Sequence, residues 1–154
     1  MNIEEKLAHM GLSIPQPGPP VGNYVGAVRV GNLLFVSGHG PRRQSGEFIT
    51  GKVGRDLTTA QAYEAAQVVM LNCLASVQRE IGDLDRVQRV VKLLGMVNCT
   101  EDFLEHPQVI NGASDLLVAL YGDAGRHARS AVGMQQLPMN IAVEIEMIVE
   151  VTAA

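Results

Sequence analysis

The period of hydrophobic and polar positions changes several times along the chain, and each change marks an element. Between residues 23 and 40, NYVGAVRV and LLFVSGHG flank the dipeptide Gly31-Asn32, a two-residue hairpin signal. A register set by that turn pairs Val30 with Leu33, Val28 with Phe35, Gly26 with Ser37 and Tyr24 with His39. Tyr24, Ser37 and His39 would then share one face at the far end of the hairpin. Residues 40–57 are rich in glycine and charge, with EFIT the one strand-like run. From Thr58 the period becomes helical. Thr58 and Gln61 complete a capping box, Ala66, Val69, Met70, Cys73, Val77 and Ile81 recur on one face, and Gly82 supplies the stop.

VQRVVKLLGMVN, residues 87–98, is strand-like, and its imperfect alternation predicts partial burial of both faces. A second amphipathic helix begins at Pro107, presents Val109, Ile110, Ala113, Leu116, Leu117 and Leu120, and stops at Gly122. The C-terminal third reads as two strands, 129–137 and 141–151, joined by a turn at LPMN. In the second, Ile141, Val143, Ile145, Met147 and Val149 alternate with Ala142, Glu144, Glu146, Ile148 and Glu150. The order ββ-α-β-α-ββ predicts an α/β (α+β) domain, a mixed sheet covered on one face by two helices and free on the other for water or other subunits. Residues 1–12 read as a short helix ending near Gly11, and SIPQPGPPVG holds too many prolines for helix or central strand. Residues 1–22 are therefore assigned to an N-terminal arm and residues 23–154 to the folded domain.

Composition narrows the function. At 154 residues, with 47% apolar and 18% charged side chains, the chain has the make-up of one ordinary globular domain. A formal net charge of −4 supplies no field toward phosphate backbones or anionic lipid, so neither nucleic acid nor a membrane is an expected partner. The stretch MNIEEKLAHMGL is acidic where a signal peptide is basic, and no run approaches the ~18 apolar residues of a membrane span. Cys73 and Cys99 lack C-x-x-C spacing and sit among apolar neighbours, which favours free thiols in a cytoplasmic setting.

Walker, G-x-G-x-x-G, H-E-x-x-H and G-x-S-x-G motifs are all missing from the sequence, and His9, His39, His106 and His127 form no pair at metal-ligand spacing. No metal is expected. Cys–His nucleophilic catalysis stays open, although both cysteines fall in segments expected to be core. What stands out is a polar set in otherwise apolar strands: Tyr24, Ser37, Arg129 and Glu144. An arginine keeps its charge when buried, and its planar fork suits either a substrate carboxylate or a structural salt bridge. Glu144 reads equally as a solvated residue or as a charge in a cleft.

Taken in order, GNLLFVSGHGP, IGDLDRVQRVVKLLGMV, VINGASDLL and ARSAVGMQQLPMNIAVEIEMI resemble the successive signature blocks of the RidA/YjgF/YER057c/UK114 proteins, over roughly residues 22–151. The last block is the specific one, because ARS, LP and EIE all fall at the family's spacing. The resemblance implies a chorismate-mutase-like fold assembled as a homotrimer, with sites in clefts between neighbouring subunits. It implies hydrolysis of enamine and imine intermediates, such as 2-aminoacrylate, to 2-oxo acids and ammonia without a cofactor. By the same resemblance Arg129 matches the arginine that grips the carboxylate of a small imine or 2-oxo acid, and Glu144 the glutamate that orients water. Tyr24 and Ser37 match residues lining the cleft, and Asn111 an asparagine near it.

Several positions depart from the family pattern. Ala131 stands where many RidA enzymes carry cysteine, His127-Ala128 replaces the proline before ARS, and His39 replaces the glutamine after SG. With the N-terminal arm and the longer 40–57 segment, these place the chain on a longer, divergent branch and leave His39 and His127 as candidate pocket residues. The main alternative is a metabolite-binding trimer that keeps the arginine clamp without efficient catalysis. Endoribonuclease activity would need a basic, aromatic surface that the composition does not offer. Chorismate mutase activity is an analogy of fold, and its dianionic substrate would call for more than one arginine in the cleft. If the last two strands pair around residues 138–140, Arg129 lies opposite about residue 149, roughly 16 Å from Glu144. That spacing predicts sites that take the two residues from different subunits, or strands bent sharply by a bulge.

Overall fold

In chain order the elements are α1 (Ile3–His9), β1 (Ala27–Val30), β2 (Leu33–His39), α2 (Thr59–Ile81), β3 (Val87–Asn98), α3 (His106–Tyr121), β4 (Ala128–Met134) and β5 (Val143–Val151). They are seen in a computed structural model that describes residues 1–153. The helix ends follow the local chemistry. The Thr58 hydroxyl accepts from the Gln61 N–H while the Gln61 side chain accepts from the Thr58 N–H. Gly82, at φ 83°, provides the left-handed stop.

The five strands form one sheet in the order β1-β2-β5-β3-β4. β3 and β4 are parallel, with α3 as their crossover, and the other neighbours are antiparallel. α2 and α3 cover one face. Their apolar stripes meet Leu34, Val36, Val90, Leu93, Val97 and alternate residues of β5 from Val143 to Val151. Burying each such leucine or valine contributes about 1.5–3 kcal/mol. On the other face Val28, Val30, Leu33 and Phe35 stay exposed, with Ile148 beside Phe35.

The structure corrects three local expectations. First, LPMN is not a hairpin turn, because β4 and β5 are not neighbours; β3 lies between them and bonds to both. The α3 crossover carries β4 to the outer edge, and the chain then passes the end of β3 so that β5 fills the gap beside β2. Second, Tyr24 does not face His39 across the hairpin. A bulge lets Val36 pair with Met147 and His39 with Ile145, so one extra residue turns His39 toward the helices. Third, the start of the arm belongs to the core. Ile3 and Leu7 are buried in it, and the Lys6 ammonium donates to the Leu120 carbonyl near the end of α3. An apolar pair at i, i+4 is a faint signal beside a proline-rich run, yet it docks α1.

Candidate functional site

Where β1 begins and β2 ends, the bulge, the edge of α2 and the strap Pro17–Val21 surround a cleft of about 560 Å³. Tyr24, Ser37, His39 and Glu144 all line it, so the fold gathers four of the six candidate residues. Ser37 is tied to the incoming chain, its N–H donating to the Gly26 carbonyl at 2.9 Å and its hydroxyl to the Val25 carbonyl at 2.6 Å. The Tyr24 hydroxyl accepts from the Val21 N–H and holds the strap. Glu144 leaves β5 on the face away from the helices and lies over Gly38, where a Cβ would come 2.5 Å from its Oε2. Only glycine leaves the carboxylate that room.

Burial raises the Glu144 carboxyl above its ordinary range, and the neighbouring charge of Glu146 adds to the shift. His39 is pushed the other way. Burial lowers its pKa, partly offset by the bond from its Nδ1 to the Ser37 carbonyl, and Nε2 accepts from the Ser76 hydroxyl at 2.7 Å. Because the carbonyl can only accept, the proton sits on Nδ1 and the ring is neutral. His39 is thus a fixed part of the wall.

Arg129 and Asn111 are elsewhere. Arg129 lies opposite Leu93, which in turn faces Met147, three residues from Glu144. Two strand spacings and three residues of rise separate Arg129 from Glu144 by about 14 Å. They also point to opposite faces. Arg129 turns to α3, donating from Nη1 to the Ser114 hydroxyl at 2.9 Å and from Nη2 to the Pro107 carbonyl at 3.4 Å. Asn111 sits between those two partners along the helix stripe. The Ser114 hydroxyl also meets His127 Nε2 at 2.9 Å, and His127 Nδ1 meets the Gly125 carbonyl at 2.7 Å. Burial chiefly, and the charge of Arg129, lower the His127 pKa, so a neutral imidazole accepts the serine proton and leaves the serine oxygen free for the guanidinium.

The chain therefore carries two separate groups of opposite charge, Glu144 in the cleft and Arg129 against α3. Among the described residues the ion pairs are Arg55–Asp56 and Arg126–Asp123, and neither Glu144 nor Arg129 takes part in one. The open Cys–His alternative is not supported. Cys99 Sγ lies 3.4 Å from His106 Nε2 outside the cleft lining, Cys73 is fully buried, and burial raises both thiols, the reverse of an activated nucleophile.

Sequence reasoning missed the α2 wall. Asn72 and Ser76, buried polar residues at i, i+4 in an apolar helix, are the signal that could have revealed it. Asn72 Nδ2 holds the Arg42 carbonyl at 2.9 Å and the Gly40 carbonyl at 3.4 Å. It also missed Asn98, fully buried, whose side-chain N–H groups reach Asn140 Oδ1 and the Ile141 carbonyl. Those bonds help hold Met139 and Asn140 at φ 56° and 57°, and Met139 forms part of the cleft rim. Among the described residues no three His, Cys, Asp or Glu side chains gather as a metal site, and no helix is long and apolar enough to cross a membrane.

The pattern of the YjgF/chorismate mutase-like endoribonuclease family matches residues 4–151. The chain is 42% identical to protein TCP17 of Trypanosoma cruzi over 96% of its own length and 93% of that protein's. It is 30% identical to a 2-iminobutanoate/2-iminopropanoate deaminase of Dermatophagoides farinae, over 90% of this chain and 93% of the relative. Among solved structures, the protein Atu1372 of Agrobacterium tumefaciens superposes with a TM-score of 0.90 at 45% identity, covering 97% of this chain and 94% of that one.

Proposed function

The chain belongs to the YjgF/chorismate mutase-like family, and we propose that it hydrolyses small carboxylated imines and enamines, 2-aminoacrylate-like, to 2-oxo acids and ammonia. The reaction runs in clefts between subunits of a homotrimer. The observation that carries this reading is the division of opposite charges into two half-sites that one chain keeps about 14 Å apart on opposite faces. A neighbouring copy that brings its Arg129 to the mouth of the cleft would give each charge its counterpart. The name of the Dermatophagoides relative supports the chemistry, and the exposed Val28, Val30, Leu33 and Phe35 offer an apolar surface for assembly.

In this reading Arg129, preset by Ser114 and His127, takes the substrate carboxylate with its remaining N–H groups. The protonated imine carbon is already electrophilic and needs no further activation. Glu144, its proton affinity raised by burial, takes a proton from a water that attacks this carbon. The resulting carbinolamine receives that proton on nitrogen, the C–N bond breaks to release ammonia, and Glu144 takes the hydroxyl proton as the carbonyl forms and returns it to the departing ammonia. One iminium and one water become one 2-oxo acid and one ammonium ion. Tyr24 and Ser37 line the cleft on the substrate's other side.

Subunit mixing tests the arrangement. Arg129→Ala should raise KM about 10- to 100-fold, the loss of a charge-assisted pair, whereas Glu144→Gln should mainly lower kcat. At substrate levels well below the raised KM each variant turns over little and supplies the half-site the other lacks, so equal mixing with exchange should restore about a quarter of wild-type sites. Confirmed exchange with no gain in ammonia release over the separate variants would sink the shared site. Retained 2-oxo acid binding in a wild-type protein that releases no ammonia would instead favour the metabolite-binding trimer.

A further inference from the structure

The cleft holds more than this reaction uses. Its volume of about 560 Å³ falls within the roughly 300–1,000 Å³ of sites that enclose drug-sized ligands. Hydrolysis of a small imine uses the end of the cleft at Glu144, beside Tyr24, Ser37 and Gly38. The surplus is lined by Tyr24 and Phe48 and bears two further cations, Arg42 and Arg79. Among the described residues neither is in an ion pair, and Glu80, which also lines the cleft, pairs with neither of them.

Both arginines are placed by α2. Buried Asn72 fixes the Arg42 backbone through its carbonyl, and the Arg42 guanidinium lies against the strap, with Nε and Cζ 3.6 Å from the point where Gly18 would carry a Cβ and Nη2 3.8 Å from the same point at Gly46. Arg79 stands three residues beyond Ser76, the helix residue that anchors His39, on the same wall. A dianionic substrate needs more than one arginine, and guanidinium groups suit carboxylates because they bond them in pairs.

Resting on the imine-hydrolase reading above, we propose that the cleft is built for a dicarboxylic substrate, whose reacting end faces Glu144 and whose distal carboxylate is received by Arg42 and Arg79. The full-length protein is titrated calorimetrically with 2-oxoglutarate and with 2-oxopentanoate, five-carbon product analogues that differ in the distal carboxylate. The wild type should bind the dicarboxylate at least about tenfold more tightly. In an Arg42→Gln, Arg79→Gln double variant the preference should fall to near unity, while Arg55→Gln, outside the cleft, should retain it. Equal affinities in the wild type, or a preference that survives the double variant, would overturn the proposal. Ammonia release from the corresponding imines is measured in parallel. Selective binding without ammonia release upholds the distal subsite and retires the hydrolase reading; ammonia release without selectivity retires the subsite alone.

Discussion

Replacing Gly38 by alanine separates the position of Glu144 from its chemistry. An added Cβ would lie 2.5 Å from Glu144 Oε2, 3.1 Å from Cδ and 3.4 Å from Cγ. Ordinary non-bonded contact begins near ~3.5 Å, so the carboxylate must retreat by about 1 Å. The group that moves is the free end of a flexible side chain, and Gly38 is not among the left-handed glycines, so the backbone accepts alanine. Folding stability should change by less than about 1 kcal/mol, a melting shift within about 4 °C. A 1 Å misplacement at a reacting centre costs about 100-fold, and kcat for ammonia release should fall by about that factor with little change in KM. Glu144→Gln, which keeps the position and removes the base, should cost about 100- to 10,000-fold. A Gly38→Ala protein that folds normally and keeps kcat within about threefold of wild type would refute the claim that carboxylate placement governs the reaction.

Three further outcomes follow from the packing and the charges. The folded state raises the Glu144 pKa above its ordinary 4.5, so the native protein binds more protons than the unfolded chain from that value upward, and this contribution is lost as pH rises through the folded pKa. Glu144→Gln should therefore melt higher than wild type at pH 7 and lose its advantage near pH 4; a lower melting point at pH 7 contradicts the buried, unpaired assignment. His39 and His127 are both lowered from 6.5, so their contribution is complete above that pH and lost as pH falls through the folded values. Melting curves between pH 7.5 and 5 should show this loss in wild type and a shallower one in a His39→Asn, His127→Asn double variant, with equal slopes counting against it. Gly112 brings α3 against α2 so closely that a Cβ would lie 2.0 Å from the Tyr63 carbonyl oxygen; Gly112→Ala should cost about 1–3 kcal/mol and roughly 3–10 °C, and an unchanged melting temperature would show that the helices can part freely.

The elements legible in the sequence are those whose determinants are local. The Thr58–Gln61 box and Gly82 delimit α2, and Gly31-Asn32 sets the β1–β2 register, because each involves residues a few positions apart. Sheet order is not local. LPMN looks like a hairpin turn because two strands flank it, but which edge β5 joins is decided by β3, forty-odd residues upstream, and by the α3 crossover that puts β4 on the outside. The bulge in β2 was hidden for a related reason. A glycine inside a strand hints at one, yet what requires it is a carboxylate on another strand, more than a hundred residues away. His39 accordingly belongs to the cleft by a different route from the one its alternation suggested, held by Ser76 and turned toward α2.

The candidate site was legible as residue types and illegible as an arrangement. Tyr24, Ser37, His39 and Glu144 converge within one chain, whereas Arg129 and Asn111 form a second group against α3. Among the described residues the half-buried Glu144 carboxylate has no ion-pair partner, so its desolvation cost is not offset by a neighbouring cation. Arg129 has its orientation fixed by Ser114 and its charge left open. A fold selected for stability alone would have paired or exposed these groups. Their placement as separate, oriented charges is what the proposed shared site calls for, with a neighbouring copy and an imine substrate completing it from outside the chain.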